Sequence, residues 1–200
     1  MTIEQIIEEH SEVIQQVRKY CLSDIAEIAS LCQEALRSNH TIFFCGNGGS
    51  AADSQHLAAE IVGRFVKERR GFPAVALTTD SSILTAVAND YGYEQIFARQ
   101  VEALVRAGDV VFGLTTSGNS PNVLLAMEKA KQLGAITIGM SGGNGGHLAG
   151  CCDVCLIVPS QNTARIQEAH ILIGHIICEM IDEVIDDVQE VQKNKILYGK

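Results

Sequence analysis

Histidine and glutamate side chains spaced along one helix face are the first residues in this sequence that could do chemistry. His56 and Glu60 lie four residues apart in a stretch of helical spacing, so their side chains share a face of the predicted helix. Such a pair can ligate a metal ion, or it can supply a base with a neighbour that tunes it. Taken alone, the pair is more typical of a polar helix surface.

A second polar group lies on the predicted C-terminal helix, residues 162–188: Gln167, Glu168, His170 and His175. A histidine in an apolar helix is usually a satisfied core residue, but His175 interrupts a face that packing alone would fill with Leu or Ile. Gln167 and His175 are two turns apart, about 12 Å along the axis, so one metal reaches both only if the side chains lean together. A neighbouring subunit would relax this constraint, and we therefore hypothesise a site shared between protomers.

Two loops rich in glycine and hydroxyl side chains each separate a short apolar strand from a predicted helix: CGNGGS at 45–50 and TTSGNS at 115–120. Glycine lets backbone N–H groups approach an anion, hydroxyls add donors, and the following helix N-terminus adds partial positive charge. Neither loop has the GxxxxGK[ST] or GxGxxG pattern of nucleotide sites. Neither contains Lys or Arg, which suits one small phosphate monoester.

The elements that must position these residues alternate between strand and helix. Apolar runs predict strands over 41–45, 74–78, 109–114, 135–140 and 154–158. Helical spacing predicts helices over 3–20, 24–37 (with Ser23-Asp24 as the N-cap), 51–67, 80–88, 93–105, 121–133 and 162–188.

This alternation predicts an α/β fold: a parallel five-stranded sheet with helices on both faces. Ligands of such sheets bind at the carboxyl ends of the strands, which is where both loops fall. We predict a single domain over 1–200, with two leading helices (1–38) packed in an oligomer, a core over 39–188 and a frayed tail over 189–200.

The composition excludes several classes of function. A formal net charge of −9 makes nucleic acid a poor partner, because phosphate contacts need clustered Lys and Arg. The sequence shows neither a signal peptide nor an apolar stretch of ~18 residues, so we expect a cytoplasmic protein without a membrane span. Its seven cysteines are expected to be free thiols. Cys151, Cys152 and Cys155 form a CCxxC cluster, whose alternative interpretation is half of a metal site.

The segments CGNGGSAADSQHLAAE, VANDYG, TTSGNSPNV and TARIQEAHILIGH together resemble the phosphoheptose isomerases, a family with the SIS (sugar isomerase) fold. The resemblance covers nearly the whole chain and implies a flavodoxin-like SIS fold. It implies interconversion of sedoheptulose 7-phosphate and D-glycero-D-manno-heptose 7-phosphate, a bacterial route to heptose for lipopolysaccharide or capsule. It also implies a cytoplasmic homotetramer, active sites at subunit interfaces and one zinc per subunit.

The same resemblance assigns roles to individual residues. It implies that Glu60 is the base, that His175 is its acid/base partner, and that zinc is held by His56, Glu60, Gln167 and His175. Besides Glu60 and Gln167, it implies substrate contacts by Asn47, Gly48, Gly49, Ser50, Asn89, Asp90, Thr115, Thr116, Ser117 and Ser120. These residue types suit the chemistry, because proton transfer through an enediol needs a carboxylate base for the carbon-bound proton and a second group that moves the hydroxyl proton between the two oxygens. Whether Glu60 and His175 of one site share a chain is left open.

Two other interpretations are kept. The stretch TTDSSILTAVAND looks equally close to a group of non-enzymatic SIS-fold adaptors that bind the bacterial replication initiator. That group is expected to lack the acid/base pair, whereas this chain has both Glu60 and His175, which favours the isomerase. A sugar-phosphate-sensing regulatory domain is the third interpretation, but the chain has no room and no basic patch for the DNA-binding unit that usually accompanies one.

Overall fold

A computed structural model describes residues 2–183 of the chain. In chain order its elements are α1 (Ile3–Tyr20), α2 (Leu22–Arg37), β1 (Ile42–Gly46), α3 (Gly49–Val62), β2 (Ala74–Ala76), α4 (Ser81–Tyr91), a 3₁₀ turn (Tyr93–Gln95), α5 (Ala98–Leu104), β3 (Val110–Leu114), α6 (Pro121–Gln132), β4 (Ile136–Gly142), α7 (Leu148–Cys151), β5 (Val154–Val158) and α8 (Thr163–Glu183).

The five strands form one parallel sheet in the order β2-β1-β3-β4-β5, and this confirms the predicted fold class. Because β1 and β3 are neighbours in register from Ile42↔Val110 to Gly46↔Leu114, the loops that follow them begin at the same edge of the sheet. The order reverses direction at β1, and this is the place where doubly wound sheets bind their ligands.

Helices cover both faces of the sheet because successive strand side chains point to opposite sides. Phe44 and Phe112 stack with ring centroids 4.8 Å apart on the face covered by α1, α2, α3 and α8. Phe43 and Val111 point to the opposite face, where α4 to α7 enclose a second apolar cluster. The sheet is therefore buried on both sides, as its continuous apolar strands predict.

The two leading helices differ in how they pack. Ile25, Ile28 and Cys32 of α2 are buried in the core of their own chain, so α2 is part of this fold rather than a free interface. Helix α1 packs on α8 through Val13 and leaves apolar side chains of its first turns exposed, Ile3 at 78%. Helix α1 thus presents an apolar surface that suits another protomer.

Several element boundaries differ from the sequence prediction for identifiable reasons. Helix α2 begins at Leu22 with Cys21 as its N-cap, so the Ser23-Asp24 cap was wrong; Ser23 instead donates to Asp24 inside the first turn. The helix predicted over 93–105 is a 3₁₀ turn followed by α5, with the buried Ile96 and Phe97 between them. The single turn α7 was missed.

Helix α3 ends at Val62, five residues before its predicted end. Gly63 is its C-cap, and Arg69 then donates to the carbonyl oxygens of Glu60 (3.0 Å) and Ile61 (2.9 Å), which are left open where the helix stops. Within residues 2–183, no helix has the length and apolar character needed to cross a bilayer. The predicted helix end over 184–188 and the tail over 189–200 lie outside the described residues.

Candidate active site

Helices α3 and α8 lie side by side and run in the same direction. A Cβ added at Gly49 would lie 2.5 Å from Gln167 Nε2, and a Cβ added at Gly174 would lie 2.5 Å from Leu57 Cδ2. These two glycines therefore let the helices approach closely, at two levels separated by similar numbers of residues on each helix. The pairing brings polar side chains of both helices into one seam.

Three predicted residues converge in this seam: His56, Glu60 and His175. The Nε2 atoms of the two histidines are 2.9 Å apart, and His56 Nε2 is 3.3 Å from Glu60 Oε1. One ligand atom from each of the three residues lies within 4.8 Å of the other two. A single chain supplies all three residues, so no neighbouring subunit is needed to bring Glu60 and His175 together.

The donor set of this cluster fits a divalent metal. At most one proton can lie between two ring nitrogens 2.9 Å apart, and without it both lone pairs face the same point beside the Glu60 carboxylate. Two imidazole nitrogens and one carboxylate oxygen are a known set of protein ligands for catalytic zinc. Among residues 2–183 this is the one group of three His, Cys, Asp or Glu side chains that converges in this way.

Gln167 enters the seam at a different level. Its amide lies against Gly49 at the start of α3, whereas His56 and Glu60 lie two and three turns further along the same helix. The levels of Gly49 and His56 are about 10 Å apart along α3, and those of Gln167 and His175 are about 12 Å apart along α8.

A buried ion pair braces the segment that follows α3. Arg69 Nε is 2.6 Å from Asp182 Oδ1 on α8, and both side chains are 1% exposed. Burial alone would raise the pKa of Asp182, but hydrogen bonds from Arg69 and from two backbone N–H groups of the segment hold that pKa below its ordinary value. The segment thereby presents Phe65 to His175, with the two rings stacked at 5.3 Å between centroids.

Asp53 occupies the same face of α3 and was missed by the sequence analysis. It lies one turn after Gly49 and one turn before His56, a spacing that could have revealed it. Its Oδ2 atom is buried without a hydrogen-bond partner among the described residues. Burial raises the pKa of Asp53 to about 6, while the nearby His56 acts in the opposite direction.

Three hydroxyl groups of the TTSGNS loop come together. Thr115 Oγ1 lies 2.8 Å from Ser120 Oγ and 3.4 Å from Ser117 Oγ. Ser120 is the N-cap residue of α6, but its hydroxyl bonds Thr115 rather than capping the helix. Thr116 and Ser117 line a cleft of about 300 Å³, whose other walls are Gly142–Asn144, Gln161 and the first turn of α8. The cleft suits an anion, because the N-terminal turn of α8 lines it through Thr163 and Ile166.

A third glycine-rich loop, residues 143–147, packs against the TTSGNS loop. Gly118 has a φ of +68°, and a Cβ there would lie 2.0 Å from the Gly145 carbonyl oxygen. Asn119 joins the loops by accepting from His147 N (3.1 Å) and donating to Ser117 O (2.9 Å). The hydroxyl groups therefore sit on a backbone held at several points.

The CGNGGS loop reaches the second loop through an asparagine pair. Asn47 and Asn122 exchange two hydrogen bonds of 2.8 Å, and the Tyr93 hydroxyl donates to Asn47 Oδ1 over 3.1 Å. Gly48, with a φ of +58°, has open space around its Cα and turns the chain into α3. Asn122 and Tyr93 were missed, although Asn122 directly follows the second loop and Pro121.

The remaining predicted residues lie outside the His56–Glu60–His175 cluster and the hydroxyl cluster. Ser50 is 3% exposed and packs against Gly46, while Asn89 and Asp90 lie exposed at the end of α4 and bond each other at 2.8 Å. On α8, Glu168 pairs with His10 and Arg165, which join α8 to α1. His170 is fully buried behind the site.

The cysteine cluster does not behave as a metal site. Burial raises the pKa of Cys155 to about 11, with Asp24 and Cys151 adding to the effect, and burial likewise raises the pKa of Cys152. All seven cysteines are free, and among residues 2–183 none joins a convergent group of metal ligands. They are ordinary thiols.

Comparisons with known proteins agree with this arrangement. The family model described as SIS domain matches residues 5–142. A phosphoheptose isomerase from Nitratiruptor sp. is 54% identical over 181 residues, 90% of this chain and 97% of that protein. The solved phosphoheptose isomerase of Neisseria gonorrhoeae superposes with a TM-score of 0.86 at 43% identity, covering 90% of this chain and 97% of that one. That of Francisella tularensis gives 0.89 at 38% identity, covering 92% and 100%.

Proposed function

Because the chain belongs to the phosphoheptose isomerase family of SIS-domain proteins, we propose that it interconverts sedoheptulose 7-phosphate and D-glycero-D-manno-heptose 7-phosphate. The observation that carries the mechanism is the meeting of His56, Glu60 and His175 within one chain, in a fold that also brings the hydroxyl groups of the TTSGNS loop together. One part suits proton transfer, and the other suits a phosphate.

The length of α3 between the CGNGGS loop and Glu60 suits a long substrate. Ser50 and Glu60 are ten residues apart on α3, which places them at levels about 15 Å apart along the axis. The side chain of Glu60 leans back toward the N-terminus of the helix and shortens this distance. A sugar phosphorylated on the carbon farthest from the reacting carbons can therefore be held at one end and react at the other.

Glu60 is the base in the proposed reaction. Its carboxylate removes a proton from C1 of the ketose, His175 donates a proton to the C2 carbonyl oxygen, and an enediol results. His175 then accepts the proton of the O1 hydroxyl, while Glu60 returns its proton to C2. The net change moves one hydrogen from C1 to C2 and one from O1 to O2, which gives the aldose.

The metal of this site is proposed to be zinc, one per subunit, held by His56, Glu60 and His175, with Gln167 as the fourth ligand implied by the resemblance. When bound, the ion would supply positive charge to stabilise the oxygens of the enediolate. The site in this chain supports the proposal through its two nitrogens and one carboxylate oxygen. Gln167 would have to extend from its place beside Gly49.

The proposal extends to the assembly and the cellular setting. A homotetramer is supported by exposed apolar side chains at the start of α1, where Ile3 and Ile7 have no cover within their own chain. A cytoplasmic location and a role in heptose supply for lipopolysaccharide or capsule follow from the resemblance. The adaptor interpretation has no observation in its favour, because this chain holds both Glu60 and His175 at its convergent site.

The test of this mechanism removes the carboxylate and keeps its shape. Glu60→Gln should lower turnover of sedoheptulose 7-phosphate by about 10²–10⁴ while the fold is retained. Glu102→Gln is the matched control, since Glu102 is an exposed glutamate paired with Arg99 far from the cluster. Near-normal turnover by Glu60→Gln would remove Glu60 from the mechanism.

A further inference from the structure

The amide of Asn47 is held by side chains from two distant parts of the chain. Asn122 Nδ2 donates to Asn47 Oδ1, and Asn47 Nδ2 donates to Asn122 Oδ1, both over 2.8 Å. The hydroxyl of Tyr93 donates to the same Oδ1 atom over 3.1 Å. Asn122 is 2% exposed, so the inner half of this network is closed to water.

A backbone group fixes which end of each amide is which. The N–H of Val123 is shared between Asn122 Oδ1 (3.0 Å) and Ser120 O (3.1 Å), and because a backbone N–H can only donate, oxygen is the atom that fits this position of Asn122. The nitrogen of Asn122 therefore faces Asn47 Oδ1. The amide of Asn47 is then oriented without ambiguity, although amide orientation usually has to be assigned from its partners.

One N–H of the Asn47 side-chain amide has no hydrogen-bond partner among the described residues. Its oxygen accepts from Asn122 and Tyr93, which fills both lone pairs. Its nitrogen uses one N–H on Asn122 and has a second N–H to offer. Asn47 lies at the end of β1, and Asn122 lies in the first turn of α6 just after the TTSGNS loop, so this donor is held between the two loops.

We propose that Asn122 and Tyr93 are positioning residues that aim the second N–H of Asn47 at an oxygen of the sugar phosphate bound between the two loops. The proposal rests on the proposed function. The oxygen belongs either to the phosphate or to the sugar, and both would accept the same hydrogen bond. Neither Asn122 nor Tyr93 needs to touch the substrate.

The network predicts a graded response to substitution. Tyr93→Phe removes one of two bonds to the Asn47 oxygen and leaves the orientation in place. Asn122→Ala removes the lock, so that the Asn47 amide can turn its carbonyl toward the substrate. Asn122→Asp keeps an acceptor for Val123 N–H and for Asn47 Nδ2 but places an oxygen opposite Asn47 Oδ1, so neither orientation of the Asn47 amide is preferred by this pair.

The experiment is a double-mutant cycle in the full-length, zinc-supplemented protein. Asn122→Ala should raise the KM for sedoheptulose 7-phosphate about tenfold or more, Tyr93→Phe a few-fold, and both should leave kcat within about threefold, because the lost contact is uniform binding. Tyr91→Phe is the matched control, since Tyr91 is exposed on α4 with its ring beside Arg99. In an Asn47→Ala background the effects of Asn122→Ala and Tyr93→Phe should vanish, because both act through Asn47.

Binding of inorganic phosphate, measured by calorimetry on the same variants, separates the two kinds of oxygen. Weaker phosphate binding by Asn122→Ala assigns the contact to the phosphate, and unchanged binding with a raised KM assigns it to the sugar. Effects that persist in full in the Asn47→Ala background would overturn the proposal, as would an unchanged KM in Asn122→Ala and Tyr93→Phe. If the unaltered protein does not turn over sedoheptulose 7-phosphate, the proposed function fails, and the cycle is then scored on phosphate affinity alone.

Discussion

His170 should make the stability of this protein sensitive to mild acid. Its ring is fully buried on α8, and Nε2 lies 3.1 Å from the carbonyl oxygen of Ser141, to which it can only donate. Nδ1 has no partner among the described residues. A proton added there would place a charge in an apolar interior without an acceptor. Burial accordingly lowers the pKa of His170 to about 4, and the hydrogen bond to Ser141 opposes this only in part.

The size and sign of the effect follow from proton linkage. In the unfolded chain the histidine has its ordinary pKa of 6.5, so between the two values the unfolded state binds the proton and the folded state does not. Stability is therefore full above pH 6.5 and is lost as the pH falls toward 4. A shift of this size predicts a loss of about 2 kcal/mol between pH 8 and pH 5, and about 3 kcal/mol once both states are protonated.

The assay compares urea unfolding of the unaltered protein and His170→Gln at several pH values from 8 to 5. Glutamine can place its amide nitrogen where His170 Nε2 lies and keep the bond to Ser141, but it does not titrate. The difference in unfolding free energy between the two proteins should change by about 2 kcal/mol in favour of the variant as the pH falls. His147→Gln, at an exposed histidine, is the control and should follow the unaltered protein. Parallel pH profiles for His170→Gln and the unaltered protein would refute the argument.

Three further predictions concern the site itself. Replacing Ser117 and Ser120 together by Ala should weaken phosphosugar binding by about 1–3 kcal/mol for each hydroxyl, and unchanged calorimetric affinity would move the phosphate elsewhere. Asp53→Asn should raise the melting temperature at pH 7.5, because the raised pKa of Asp53 means that its charged form costs stability, and the gain should shrink toward pH 4; an equal gain at both pH values would contradict this. Mixed oligomers of Glu60→Gln and His175→Ala should stay inactive, since one chain supplies both groups, whereas recovered activity would show that a site draws them from different chains.

The parts of the site that follow from local sequence were predictable. The loop at 115–120 falls where predicted, because an apolar run followed by glycine and serine marks the end of a buried strand. The connection predicted over 45–50 is shorter, since β1 runs to Gly46 and α3 begins at Gly49. His56 and Glu60 share a helix face because four residues make one turn, and that geometry does not depend on the rest of the fold. The hydroxyl cluster of the second loop is likewise local.

The parts that depend on distant contacts were not predictable. The end of α3 is set by Arg69 and its partner Asp182, which are 113 residues apart in the chain. Asn47 and Asn122 are 75 residues apart, and nothing in either loop indicates that their amides meet. The contact between His56 and His175 depends on the parallel packing of α3 on α8. Two glycines permit this packing, and no spacing within one helix reveals it.

The most direct test of the proposed function is to incubate the purified, zinc-supplemented protein with sedoheptulose 7-phosphate and to identify the products by nuclear magnetic resonance. The account predicts an aldoheptose 7-phosphate in equilibrium with the ketose, formed by the unaltered protein and at most slowly by Glu60→Gln. Substrate recovered unchanged after prolonged incubation with a folded, metal-loaded sample would contradict it.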